Sequence, residues 1–241
     1  MFRWQFETMG TVASLVTDRA VDVETQGQAR AVCEAVDARF SLYRSDSELS
    51  RLNSGEFPLS AASTSLRDAY VLAHEWSLAT GGLFAPERPD RSLDLNGVVK
   101  AMAIAACVQL LRESGSDSGH VGIGGDGEAW GSNGRMPWVA GIVDPFDRHQ
   151  LIGSVELTAA RPALATSGSA ERGNHIWAPP GRTPFRQVSV LGPDIVTADV
   201  LATAIVAGGS PFLEEAAARW PIEVLAVADD GSMLATSGWS R

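Results

Sequence analysis

Apolar residues recur along the chain with two different periods, and the change of period divides it. TVASLVT (11–17) alternates and is rich in β-branched residues, so it predicts a strand. Residues 23–40 carry a helical spacing through Ala31, Ala35, Val36 and Phe40. Ser45 with Glu48 three positions on has capping-box spacing and predicts a short helix through Leu52. Residues 64–79 predict a further helix stopped by Gly81 and Gly82. A long helix follows from about Gly97 to Glu113, stopped by Gly115. The middle then turns to short β-type runs, HVGIG, WVAGIV, LIGSVEL, RPALATS and FRQVSVL, separated by Gly, Pro and Asn. Helices at about 197–208 and 211–219, strand-like IEVLAVA and a polar hairpin ending near Leu234 complete the chain. Helices, then strands, then helices predict an α+β fold rather than alternating βαβ units. There are no internal repeats. The best internal boundaries, 86–93 and 132–137, are too short to be flexible linkers.

Composition narrows the function. The chain has 241 residues, 45% of them apolar, and 20% charged. That suffices for a sizeable core and excludes a disordered composition. A net charge of −10, with Lys and Arg scattered, argues against nucleic acid. Cys33 and Cys107 are the only cysteines, and both fall in apolar helical pattern, so they read as small core residues. The N-terminus has no apolar segment of signal type, and no stretch approaches the roughly 20 continuous apolar residues of a span. The expectation is a cytoplasmic protein without a membrane span.

Four segments carry candidate chemistry. GIGGDG (122–127) satisfies G-x-G-x-x-G, but EAWGSNGRMPW follows it. A dinucleotide fingerprint needs a helix starting there, so a tight hairpin beside Asp126 is the better reading. In DLNGVVK (94–100), Asp94 precedes a glycine turn and Lys100 lies one turn into the next helix, an anion-binding arrangement. In TADVLATAIVAGG (197–209), Thr197 reads as the cap. Asp199 and Thr203 share one helix face among Val200, Leu201, Ala204 and Ile205. A carboxylate and a hydroxyl on a dry face suit a hard cation such as Mg²⁺, although a helix-dipole Asp and a Thr bonded to its own backbone explain the pair equally. In ATSGSAERGNHIWAPPG (165–181), His175 is a candidate base, whereas Ser167 lies in no nucleophile elbow. His74, His120 and His149 share no spacing.

The order of these segments resembles the ApbE family of FAD:protein FMN transferases over nearly the whole chain. The similarity is carried by ETMGT (7–11), FSLYRSDSELSRLN (40–53), TGGLF (80–84), DLNGVVKA (94–101), IGGDG (123–127), AGIVDP (140–145), ATSG (165–168), ERGNHI (171–176) and ADVLATA (198–204). The resemblance implies one domain over 1–241, with lobes at about 1–95 and 96–241. Its core would be T-fold-like and antiparallel with flanking helices, and FAD would lie in a cleft between the lobes. It implies that Met9, Tyr43, Leu83, Phe84, Ala85, Asp94, Lys100 and Trp177 contact the flavin nucleotide. The Gly97 carbonyl, Asp199 and Thr203 would hold Mg²⁺, and His175 would be catalytic. The implied reaction moves FMN from FAD to a Thr or Ser hydroxyl of an acceptor flavoprotein, releasing AMP. Hydrolysis of FAD to FMN and AMP, and non-catalytic FAD binding, are the alternatives. A homodimer is compatible with the pattern, which does not fix the oligomeric state. The chain departs from the family pattern at Ala85, Ala105 and Ala178, where Asp is expected, at Ala101, where Gly is expected, and at Gly122, where Asn is expected. These changes remove carboxylates near the expected metal and base.

Overall fold

A computed structural model describes residues 1–134, 136–168 and 184–239. The strands are β1 (Phe2–Thr8), β2 (Thr11–Thr17), β3 (Gly119–Ile123), β4 (Asp126–Trp130), β5 (Trp138–Val143), β6 (Leu151–Leu157), β7 (Ala163–Gly168), β8 (Gln187–Gly192), β9 (Glu223–Val227) and β10 (Met233–Ala235). Eight of them form one sheet in the order β1-β2-β3-β4-β7-β8-β9-β10, while β5 and β6 pair separately. Every neighbouring pair is antiparallel. The helices are α1 (Val23–Phe40), α2 (Glu48–Asn53), α3 (Thr64–Ala79), α4 (Asn96–Glu113) and α5 (Ile195–Arg219), with a 3₁₀ turn at Leu59–Ala61. The fold is α+β, with a mostly antiparallel sheet and flanking helices.

The side-chain alternation of the strands explains the layers. Ala163, Ala165, Val188, Val190, Val224 and Ala226 face the helices. Leu164, Leu191 and Leu225 point the other way, into a second apolar cluster with Trp138, Ile142, Val155 and Leu157 of the β5–β6 hairpin. Both faces of β8 are therefore covered, and all six of its residues are buried. On the helix side, Ile104 of α4 and Leu201 and Ile205 of α5 are wholly inaccessible. Each contributes roughly 1.5–3 kcal/mol through burial.

Most expected boundaries hold, and the exceptions are informative. The short helix is capped by Ser47, not Ser45: its hydroxyl accepts from the Ser50 N–H. Glu48 does not close a capping box but accepts from the backbone N–H and hydroxyl of Ser63, ahead of α3. Asp194, not Thr197, caps α5, because a carboxylate at that position takes the Thr197 N–H at 2.8 Å and the Thr197 hydroxyl at 2.7 Å. The two helices expected at 197–208 and 211–219 run on as α5 across a kink, where Gly209 takes φ 64° and Pro211 follows. α5 is long and apolar enough to cross a membrane by composition, yet 78% of its most apolar window is buried within the protein. GIGGDG forms the β3–β4 hairpin, with Gly124 and Gly125 at φ 60° and 96° in the turn.

Candidate functional site

The site forms where α4 and α5 approach the sheet beneath the β3–β4 turn. Asp126 opens β4 and is 2% exposed. Its Oδ1 accepts the Thr166 backbone N–H at 2.7 Å, which ties β4 to β7. Its Oδ2 forms an ion pair with Nζ of Lys100, one turn into α4. The same ammonium lies 4.0 Å from Oδ2 of Asp199 on the first turns of α5. Two buried carboxylates thus share one lysine, and the three side chains sum to one negative charge. Four residues along α5 from Asp199, Oγ1 of Thr203 lies 2.9 Å from Oγ of Ser167 on β7. The Ser167–Thr203 hydroxyl pair thus lies with Asp199 on the helix side of the sheet, whereas Oγ1 of Thr166 and Oγ of Ser189, 2.8 Å apart, lie on the opposite face.

Glu128 secures the helix that presents Asp199. Its Oε2 accepts the Ile195 N–H at 3.1 Å, one of the free donors at the start of α5. Burial raises the Glu128 pKa, opposed by that hydrogen bond.

Gly97 sits on the first turn of α4, about one helical turn before Lys100. It has to be glycine: an added Cβ would stand 2.6 Å from Cε2 of Phe84, whose buried ring packs on it. The Phe84 N–H is held by the Thr80 hydroxyl at 3.1 Å. Leu83 packs toward α5, where a Cβ added at Gly208 would stand 2.8 Å from its Cδ1. Ala85 is exposed. Asp94 is engaged twice: its Oδ1 accepts the Asn96 N–H at 3.0 Å, and its Oδ2 pairs with Arg88 at 2.6 Å. Met9 occupies the β1–β2 turn at φ 47°. Gly124, whose added Cβ would meet Thr11 Cγ2 at 3.2 Å, places that turn beside the β3–β4 turn.

Of the residues expected from the sequence, the structure gathers Leu83, Phe84, Gly97, Lys100, Asp199 and Thr203 around the α4–α5 contact. Tyr43 stands apart as an 88% exposed side chain. His175, Trp177 and Ala178 lie outside the described residues. Asp126 and Ser167, with the Thr166 backbone N–H, are site groups that the sequence reading did not assign. Asp126 was visible beside GIGG, but nothing in the sequence pairs it with Lys100.

The donor set fits a hard cation: a buried carboxylate, hydroxyls and a backbone carbonyl, all oxygen. Among the described residues there is no group of three or more His, Cys, Asp or Glu suited to a metal ion. A cation held here would thus draw part of its coordination from carbonyl, hydroxyl and substrate oxygens, as Mg²⁺ commonly does.

The ApbE family model matches the chain over residues 9–88 and 85–226. Among solved structures, flavin transferase ApbE from Vibrio cholerae is similar at 24% identity and a TM-score of 0.80, covering 98% of this chain and 97% of its own. The apo flavinyl transferase ApbE of Pseudomonas stutzeri is similar at 19% identity and TM-score 0.79, covering 98% and 95%. The ApbE protein of Thermotoga maritima gives 18% and 0.77, covering 98% and 97%. At these identities the likeness establishes the shared fold. No curated protein matches the chain. The match of the family model over most of the sequence settles the relationship: this chain belongs to the ApbE family.

Proposed function

We propose that this protein transfers the FMN half of FAD to a Thr or Ser hydroxyl of an acceptor protein, with Mg²⁺ as the accompanying ion and AMP as the leaving product. The observation that carries the reading is the buried Asp126–Lys100–Asp199 group beside the Thr203–Ser167 hydroxyl pair, in a chain of this family. Two of the similar solved structures bear the names of flavin transferases, which supports the same assignment.

Gly97 through its carbonyl, Asp199 and Thr203 are the residues that would hold Mg²⁺. When bound, the ion neutralises charge on the diphosphate. The chain's own groups do the remaining work. Lys100, fixed by Asp126, presents an ammonium to a phosphate oxygen. Leu83, Phe84 and Met9 supply apolar surface for the flavin nucleotide, joined by Tyr43, Ala85, Asp94 and Trp177. The acceptor oxygen attacks the FMN phosphorus, a new P–O bond forms, and the bond to the AMP phosphate oxygen breaks. His175 takes the proton from the attacking hydroxyl. Positioning and charge stabilisation supply most of the acceleration, since little covalent chemistry falls to the protein. The single domain over 1–241, its two lobes and the flavin cleft between them belong to the same proposal.

The test is incubation with FAD and MgCl₂, with and without a candidate acceptor protein. Protein-bound flavin together with AMP supports transfer; AMP without acceptor identifies water as the attacking group. FAD binding with no AMP in either case would sink the catalytic reading. Asp199→Ala is expected to abolish AMP release and to remove the Mg²⁺-dependent rise in melting temperature. Full retention of both would exclude Asp199 from the metal site. His175→Ala is expected to lose transfer while still binding FAD.

A further inference from the structure

The second face of the sheet holds a cavity away from the α4–α5 contact. The β5–β6 hairpin lies over the β1–β4 end of that face and leaves a space of about 380 Å³. That is the size of a small-molecule pocket. Its sheet side carries Gly122, Gly124, Gly125 and Gly127 beside Ser14, Val16 and His120.

Two of these glycines have a definite reason. A Cβ on Gly127 would stand 2.5 Å from Nε2 of His120, and one on Gly122 would stand 2.9 Å from its Cε1. The imidazole therefore lies flat along the strands. Trp138, reaching down from the hairpin, tilts against it at 6.0 Å between centroids and 30° between planes. The result is a slot with flat walls, lined elsewhere by aliphatic Val12, Val139, Leu157 and Leu164.

The slot also has a charge preference. Arg3, exposed on edge strand β1, lines it. Among the described residues Asp126 is the one acid in the lining, and its carboxylate is engaged by Lys100 and the Thr166 N–H. Burial first, and the charge of Arg3 second, lower the His120 pKa to about 4, so the imidazole is neutral at pH 7. It offers one donor and one acceptor and adds no charge of its own.

We propose that this cavity binds a small planar aromatic carboxylate, its ring against the wall made by His120 and Trp138 and its carboxylate on Arg3. The ring gains from apolar burial and aromatic contact, and the guanidinium recognises a carboxylate through paired N–H donors. The proposal does not rest on the flavin reading, since Arg3, His120 and Trp138, which carry it, are not among the residues assigned to FMN transfer.

The test is an NMR titration of the full chain carrying ring-labelled histidine, with the His120 signal assigned through a His120→Gln variant. Indole-3-carboxylate is the probe, indole is the ring without charge, and acetate is the charge without ring. A saturable shift at His120 is expected with indole-3-carboxylate, at least tenfold tighter than with either control. Arg3→Gln should weaken indole-3-carboxylate about tenfold and leave indole unchanged. Arg3 is exposed on an edge strand, so this variant should melt like the parent. An unmoved His120 signal, acetate matching the probe, or an Arg3→Gln affinity equal to that of the parent would each overturn the proposal.

Discussion

Replacing Lys100 with methionine keeps an unbranched apolar stem and removes the ammonium with its charge and N–H donors. The Lys100 side chain is 15% exposed, against 1% for Asp126 and 5% for Asp199. Removing one partner of a buried ion pair typically costs about 3–5 kcal/mol, because the other charge stays behind without compensation. Asp199 also approaches this ammonium at 4.0 Å, which pushes the cost up. Two features pull it back: water reaches the lysine end to a small degree, and Asp126 keeps the Thr166 N–H. The low end of the range, about 3 kcal/mol, follows for Lys100→Met. The assay is urea unfolding at pH 7, read as a fall in midpoint at constant m-value. Adding Asp126→Asn to Lys100→Met removes the carboxylate charge that Lys100 pairs most closely and should recover part of the loss. MgCl₂ should also recover part of it, since a ligand at a hundred times its Kd stabilises the folded state by about 2.7 kcal/mol. A Lys100→Met protein within about 0.5 kcal/mol of the parent, at equal m, would refute the shared-lysine account.

Acid stability offers a second check. The His120 pKa is depressed from 6.5 to about 4 in the folded chain, so the unfolded chain takes up its proton first as pH falls. That contribution is complete above the unfolded value and is lost between about pH 6.5 and 4, amounting to about 2 kcal/mol between pH 7 and pH 5. His120→Gln should lack this part of the acid slope; an identical slope in both proteins would count against a neutral buried imidazole. Asp194→Ala removes the double cap on α5 and should cost about 1 kcal/mol, seen as a lower melting temperature. Ser167→Ala leaves Thr203 without its hydroxyl partner and should change Mg²⁺ affinity in calorimetry without unfolding the chain. An unchanged binding isotherm would separate Ser167 from the metal face.

Elements with a strong local signal were legible from the sequence. α1 and α3 span the expected residues, with Gly81 and Gly82 after α3, although Ala31 and Ala35 of α1 are exposed and Ala29, Cys33 and Phe40 form its buried face. Caps were less legible, because several residues compete for the same N–H groups. Ser45 and Ser47 both precede α2, and only the position of the Ser63 loop decides where Glu48 goes. Asp194 lies ahead of the apolar run that marks α5, so Thr197 looked like its start. For the site, spacing alone picked out Asp199 with Thr203, since both lie on one helix face. Lys100 with Asp126, and Thr203 with Ser167, are pairs between distant segments, and no local pattern encodes them. The cavity of the second face was least legible. It exists because β5 and β6 leave the main sheet and fold across it, and His120 carried no spacing that marked it.

The departures from the family pattern can now be separated by where they fall. Ala101 is wholly buried on α4, and Ala105 is half-buried on the same helix, packed against the core, so both are settled into apolar surroundings. Ala85 is exposed. None of these removes a member of the Asp126–Lys100–Asp199 group, whose charge balance survives without them. Gly122 is of another kind. The expected asparagine would carry a Cβ 2.9 Å from Cε1 of His120, so the glycine and the flat imidazole are tied together. Gly127, paired with Gly122 across β3 and β4, makes the same allowance for the same ring. Two facing glycines cost backbone entropy in a strand pair, which side chains at those positions would avoid. What offsets that cost is a ring-lined slot on the far side of the sheet. The change at Gly122 therefore bears on what the second face holds, while the charged group on the helix face keeps its form.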